Sequence, residues 1–532
     1  MTSILLNINK GFSWFSTETI FVKGSFFDEN NNYFEKDKAI SYFKKITDPS
    51  LFIEKIKTIN GIFTVLIKIE DELFIASDAT RIFPLFYTNF ENNLFISDDI
   101  VLLKEKLNIS TFDEQASNEF LTAGHTLGNK TLLKNVFQLQ SSEYICFENE
   151  RINIRGFFFS YATNTLNNSS YSELKKQAIQ AFENSFKRLI TSLNNRQVVI
   201  PLSGGYDSRL IAVMLKKFNY TNVICFTYGK KNNFEIENSK KTAENLGFKW
   251  IFIEYTDEIV DNYIDTSLFK EFAHYTGKYS SMPYLQEYFA IKYLKDNLLI
   301  SDNAIFIPGH SGDLLGGSQF EKVIPNNLKF NQISKLIFNQ KFHYNKIFPD
   351  TKKEILNRIG LQFLDFDTNY YTKLTYSVFE DYDIKEKIAK IIFNSSNIFT
   401  FFNYEHRFPF WDKDLLSFFK DIPRENKKMK LLYDDILKNH YFEMFNVNYK
   451  KEIQPTKLQI FSQKIKKKIK PFFPFIIKKQ FLIKNDWLNS VKLTNEMEKS
   501  LMKNNLKYNS KIKMFNELNI QWYYYFSIGK IK

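Results

Sequence analysis

Two cysteines in 532 residues, Cys146 and Cys225, are too few for a disulfide framework and suit a chain kept in the reducing cytoplasm. Each lies in an apolar, strand-like run and reads as a small buried hydrophobe, not a reactive thiol. No apolar run reaches bilayer-spanning length, and the start shows no n-region and h-region of a secretory leader. No internal repeat recurs, which removes repeat architectures. Acidic residues are in the minority, 59 against 72 lysines and arginines, for a formal charge of +13. Lys, Asn, Ile and Phe are abundant throughout, so part of this excess is compositional bias, and no nucleic-acid partner is expected from it. The length suffices for two or three domains with full cores.

What is present concentrates in Val198-Val-Ile-Pro-Leu-Ser-Gly-Gly-Tyr-Asp-Ser-Arg-Leu-Ile-Ala-Val213. An apolar run (Val198, Val199, Ile200, Leu202) predicts a buried strand, and Leu210, Ile211, Val213, Met214 and Leu215 predict a helix with a broad apolar face. Between them Ser203, Gly204 and Gly205 form a turn feeding the helix N-terminus, where unpaired N–H groups and the helix dipole favour an anion. Ser203 and Ser208 add hydroxyls and Arg209 a fixed cation, whereas Asp207 would repel a bare phosphate and so implies a bridging Mg²⁺. The spacing is not that of a GxxxxGK[ST] loop. It resembles the SGGxDS pyrophosphate loop of ATP pyrophosphatases, which implies ATP as the ligand.

The neighbouring pattern repeats the unit: a strand at Asn222–Tyr228, a helix at Phe234–Leu246, a strand at Trp250–Glu254. This alternation predicts a parallel, doubly wound sheet with ligands at the strands' C-terminal ends. Phe226, Thr227, Tyr228 and Gly229 fall at such an end, placed either to stack on adenine and offer it hydrogen bonds or simply to pack. A further strand, Ala304–Ile307, runs into Pro308-Gly-His-Ser-Gly-Asp-Leu-Leu-Gly-Gly317, which resembles the SGEGSDELFGG segment of asparagine synthetases. The resemblance puts Gly309 beside the nucleotide, Asp313 on Mg²⁺ and His310 at the acyl centre where that family has glutamate. A histidine there suits a base on the incoming amine, with a packed loop histidine as the alternative. Arg407-Phe-Pro-Phe-Trp-Asp412 resembles the family's RxPFLD segment. Lys451 falls where the family has a lysine that stabilises the adenylation transition state, with Lys450 and Lys457 as rival candidates.

In the first half, Asn60–Ile67, Phe74–Tyr87, Asn93–Asp98 and Thr131–Leu139 resemble strands of the class II glutaminase domain, so the resemblance spans about residues 55–455. It implies an α+β, Ntn-hydrolase-like sandwich of antiparallel sheets, which the alternating apolar runs independently support. Those glutaminases use an N-terminal cysteine as nucleophile. Here the chain starts Met1-Thr2-Ser3, and no counterpart of the RGPD or NGE segments is found. Thr2 is a nucleophile only in principle. The expectation is a degenerate glutaminase-like domain, with the amine coming from ammonia, another source or the substrate itself.

The expected organisation is a glutaminase-like domain over 1–160, a linker over 161–170, an α/β synthetase domain (adenine-nucleotide α-hydrolase-like) over 171–460, and a basic, aromatic helical extension over 461–532. Lys464–Lys479 mixes cations with bulky apolar residues, a pattern for peripheral contact with an anionic bilayer or for a solvated face; Pro471 and Pro474 break any continuous amphipathic helix there. The reading is an ATP- and Mg²⁺-dependent ligase that adenylates a carboxylate and passes it to an amine, leaning toward a sugar uronic acid of surface polysaccharide. Asparagine synthesis itself, ring closure of the β-lactam or lasso-peptide kind, and a non-catalytic nucleotide-binding relative stay open. A tRNA-modifying pyrophosphatase fits less well, because it needs a basic groove or catalytic cysteines.

Overall fold

The computed structural model describes residues 2–231, 233–318, 324–363, 374–449, 486–508 and 515–531. In the first part a seven-stranded antiparallel sheet runs Arg151–Phe157, Glu143–Glu148, Glu72–Ser77, Asn60–Ile69, Ile20–Phe27, Trp14–Ser16, with Tyr33–Glu35 also pairing on Ile20–Phe27. A four-stranded sheet, Thr2–Leu5, Asn93–Ser97, Phe86–Phe90, Phe137–Gln138, stacks on it. The period-two pattern explains the layers. Along Asn60–Ile69, Leu66 points between the sheets, while Phe63, Val65 and Ile67 point to the opposite face. Helices Lys36–Phe43 and Pro49–Thr58 cover that face with Ile40, Phe43, Phe52 and Ile56. One pair departs from the antiparallel expectation: Thr2–Leu5 and Asn93–Ser97 are parallel. The chain between them passes through the other sheet, and such a long crossover, unlike a hairpin, allows a parallel return.

The second part is a five-stranded, wholly parallel sheet in the order Lys249–Glu254, Val223–Gly229, Val198–Pro201, Ile305–Phe306, Glu405–His406. Its strands are apolar on both faces: Val198, Ile200, Val223, Cys225 and Ile305 enter one core, Val199, Ile224, Phe226 and Phe306 the other. Helices Tyr171–Leu193, Tyr206–Lys217 and Phe234–Leu246 pack on the first face, and Ser267–Gly277 and Tyr288–Asp296 on the second. The sheet is thus doubly wound. Asn233 caps Phe234–Leu246 through Glu235 N at 2.9 Å, and Gly247 at φ +71° ends it. Ser170 likewise opens Tyr171–Leu193. In sequence order the strands run 3-2-1-4-5, so winding reverses between Val198–Pro201 and Ile305–Phe306, and the crevice outside their C-terminal ends is where such folds take ligands.

The described C-terminal residues do not form an appendage. Helices Ser490–Lys503 and Phe515–Ser527 lie inside the second core, with Met497, Leu501, Leu518 and Trp522 fully buried against Phe269 and its neighbours. Amphipathicity alone does not tell a surface helix from one that closes a core. Between the two parts, Lys390 donates to Thr126 O, Gly128 O and Glu386, tying the π-helical Ile384–Phe393 to the first domain. Among the described residues no helix is long and apolar enough to cross a membrane.

Candidate active site

At the point where the winding reverses lies a cavity of about 390 Å³. The loop after Val198–Pro201 forms its floor. Ser208 Oγ accepts Ser203 N at 3.1 Å and lies 3.1 Å from Ser203 Oγ, which in turn accepts Gly205 N at 3.1 Å. The two hydroxyls therefore fasten the turn. Helix Tyr206–Lys217 starts at Gly205 with no side-chain cap, and Tyr206, Asp207 and Ser208 of its first turn line the cavity. First-turn amides with no cap are anion donors. Gly309 forms the opposite lip. A Cβ there would stand 2.7 Å from Ser208 N, so only glycine allows the two loops to approach so closely.

Two carboxylates meet beside this turn. Asp207 accepts the Tyr433 hydroxyl at 2.8 Å on Oδ1 and Asp313 N at 2.9 Å on Oδ2. Burial first, then the like charge of Asp313, push Asp207 up to about 7, against the pull of Tyr433 and Lys430. Gly312 brings the loops together: a Cβ on it would lie 2.9 Å from Asp207 Cγ. Two crowded, hard oxygen donors next to a helix N-terminus suit Mg²⁺, which typically takes one or two carboxylates and completes its shell with waters and substrate phosphates.

The expected adenine wall is only partly open. Phe226 lines the cavity but is fully buried, its ring edge-on to Phe306 at 6.2 Å. Thr227 Oγ1 donates within the core to Leu202 O at 2.7 Å and accepts Trp250 Nε1 at 3.1 Å. Tyr228 is half-buried on the cavity wall, stacked on Tyr255 at 5.3 Å. Gly229 has φ +133°, and a Cβ would be 2.7 Å from Trp487 O, which accepts Lys230 N at 2.7 Å. Trp487 and Leu488 thereby close one side of the cavity, more than 250 residues beyond the loop they cover.

His310 lies on the wall with Nδ1 2.9 Å from Ser396 Oγ and Nε2 3.4 Å from Glu287 Oε1, and its carbonyl accepts Trp411 Nε1 at 3.4 Å. Arg209 is not brought into the cavity. It is 2% exposed, donates to Val447 O at 3.0 Å and Gly204 O at 2.9 Å, and lies over the rings of Tyr206, Phe442 and Tyr449. Its cation secures the loop from behind. Lys430 is the nearer positive charge, its stem beside Gly316 and its field acting on Asp207. Lys450, Lys451, Lys457 and Lys464–Lys479 lie outside the described residues. In Arg407–Asp412, Arg407 is buried against Glu405 and Ser192, and Asp412 takes a bidentate bond from Arg188 while capping Lys413–Lys420. That segment is scaffold. No sequence pattern flagged Tyr433, Lys430, Glu287 or Trp487, since each arrives from a distant element.

In the first domain Thr2 is paired in a strand, opposite Leu94. Lys23 and Asp98 face each other at 3.7 Å beside a cavity of only about 10 Å³ at the boundary with the second domain. Asp98 also accepts Trp14 Nε1 at 2.7 Å, and Lys23 donates to Ile8 O. Burial brings Lys23 down to about 8.

Comparison with known proteins fits this geometry. A glutamine amidotransferase domain model matches residues 53–158, and a family of unknown function, DUF7411, matches 196–278. A probable asparagine synthetase [glutamine-hydrolyzing] of Acanthamoeba polyphaga mimivirus is 24% identical over 220 residues, 38% of this chain and 39% of that protein. The microcin J25-processing protein McjC of Escherichia coli is 24% identical over 215 residues, again 38% and 39%. An NH(3)-dependent NAD(+) synthetase of Methanocaldococcus jannaschii is 28% identical over 138 residues, 25% of this chain and 52% of that protein. The chain thus spans about two fifths to one half of the length of these curated relatives. With an amidotransferase-type sandwich preceding a doubly wound sheet that bears SGGYDSR and PGHSGD loops, the chain is similar to asparagine synthetases in both of its parts.

Proposed function

We propose that this chain is an ATP-dependent carbon–nitrogen ligase that activates a carboxylate as its adenylate, releases pyrophosphate and forms an amide. The observation that carries this reading is the uncapped first turn of Tyr206–Lys217 set beside the Asp207–Asp313 pair at the sheet's switch point. Amides of that turn and the hydroxyls of Ser203 and Ser208 hold the pyrophosphate portion of ATP. Asp207 and Asp313 hold Mg²⁺, which supplies charge neutralisation as negative charge gathers on the phosphates. Lys430 adds a cation, with Lys451 as a further one on the family resemblance. Tyr228, the more exposed of the two rings on the cavity wall, is offered to adenine, and Gly309 lets its loop close against Ser208 N beside the pyrophosphate turn. His310 takes a proton from the incoming amine.

The amine is ammonia or a substrate amine, since the boundary cavity beside the Lys23–Asp98 pair measures only about 10 Å³ and Thr2 is held in a strand. The first carboxylate class to test is a sugar uronic acid, with aspartate and peptide carboxylates beside it. ATP-dependent pyrophosphate release is measured with ammonium or glutamine over UDP-glucuronate, free uronates and amino acids. Release with one carboxylate, abolished in Asp207→Ala with the fold intact, is the expected result. ATP binding with silence across the whole panel, extended to peptides, overturns the ligase in favour of a scaffold.

A further inference from the structure

His310 Nδ1 lies 2.9 Å from Ser396 Oγ, and Ser396 Oγ lies 2.9 Å from Ile392 O. A hydroxyl has one hydrogen, and Ile392 O can only accept. Both contacts are hydrogen bonds at once only if Ser396 donates to Ile392 O and His310 Nδ1–H donates to Ser396. The neutral imidazole then carries its lone pair on Nε2, at the cavity wall. There it faces Glu287 Oε1 at 3.4 Å. Two acceptors gain nothing from that contact. Once Nε2 takes a proton, the same contact becomes an ion pair between partly buried groups. The other titratable ring nearby, His406, is fully buried with both nitrogens unpartnered, and burial holds it down to about 3, so it stays neutral.

We propose that Ser396 and Glu287 are positioning residues for His310: Ser396 sets the Nδ1–H tautomer and Glu287 holds the imidazolium that forms when Nε2 takes the amine's proton. This rests on the ligase reading above for its chemical step. In that step the amine lone pair forms the C–N bond to the acyl carbon. The bond from acyl carbon to adenylate oxygen breaks, its electron pair leaving on the phosphate. The N–H proton passes to His310 Nε2. Glu287 stabilises a charge that is absent before the step, which lowers the barrier without tightening the ground state.

The test uses the full-length protein labelled with ¹⁵N-histidine, with His310→Gln assigning the signal among the six histidines. At alkaline pH His310 is expected to show a pyrrole-type Nδ1 and a pyridine-type Nε2, and Ser396→Ala to shift it toward the Nε2–H form. At acid pH a protected Nε2 proton is expected in the wild type and its loss in Glu287→Gln. A wild-type Nε2–H tautomer, or a protected proton unaffected by Glu287→Gln, overturns the proposal whatever reaction the protein performs. In parallel, ATP–pyrophosphate exchange and amide formation are followed with ammonium chloride and UDP-glucuronate or L-aspartate. Glu287→Gln should leave exchange and KM unchanged and lower kcat for the amide about 10- to 100-fold, less than the roughly 100- to 10,000-fold that a general base itself supplies, since His310 remains. Equal loss of both half-reactions marks a merely structural role and overturns the assignment. Absence of exchange in the wild type counts against the ligase reading alone, and the tautomer still decides the proposal.

Discussion

Replacing Asp313 by Asn separates the like charge of the Asp207–Asp313 pair from the hydrogen bonds around it. The bond from Asp313 to Asp207 comes from its backbone N–H, which asparagine keeps. Asp207 rises from 3.8 to about 7, and at ~1.4 kcal/mol per unit its ionisation in the folded, ligand-free protein costs at most about 4 kcal/mol. Burial is the larger cause and the field of Asp313 the next, which a like charge at partly buried range puts at about 1–2 kcal/mol. The sign follows from proton linkage. A folded-state value above the unfolded one means the native protein holds the proton more tightly, so this contribution is fully present below about pH 4 and is lost as pH rises through about 7. Asp313→Asn is therefore expected to be more stable than the wild type at pH 8, equal to it near pH 4, and without pyrophosphate release. Chemical denaturation across pH 4 to 8, without nucleotide or metal, measures the difference. A variant less stable at pH 8, or a gap that does not grow between pH 4 and 8, refutes the charge pairing.

Three other outcomes follow from the packing. Gly309→Ala places a Cβ 2.7 Å from Ser208 N, so nucleotide binding by calorimetry should weaken at least tenfold while the circular dichroism spectrum is unchanged. Trp522→Ala removes a fully buried indole and should cost about 3–5 kcal/mol in urea titration, whereas an appended helix would lose almost nothing. His406→Phe replaces a buried ring whose two nitrogens have no partner and which takes a proton only near 3 when folded. Unfolded, the ring takes it near 6.5, so wild-type stability falls from this source as pH drops between about 6.5 and 3; the variant should hold a flatter profile there.

Local pattern was enough for four of the sheet's five strands; Glu405–His406, two residues long, carried no such pattern. Val198–Ile200, Val223–Phe226 and Ile305–Phe306 are apolar on both faces, which only a covered parallel strand needs, and helix Phe234–Leu246 announces itself by Asn233 before it and Gly247 after it. Ser203, Gly205, Asp207 and Ser208 line one cavity because a turn into a helix N-terminus is a short-range motif whose geometry its own residues impose, and His310, singled out by resemblance alone, lines the same cavity. The direction of side chains and the partners that reach them were not. Arg209 sits within the loop motif, yet helical phase carries its guanidinium behind the loop to Val447 O, because a residue two positions past Asp207 lies on another side of the helix. Tyr433, Ser396 and Trp487 enter the site from elements more than 80 residues away from the residues they serve, and Glu287 from the helix region before the His310 strand, through packing that sums many weak apolar contacts and leaves no local signature. Local sequence set the glycine turn, the helix start behind it and four of the strands that frame them; which acids, rings and hydroxyls close around that turn came from tertiary packing, because side-chain convergence depends on how distant helices seat on the sheet.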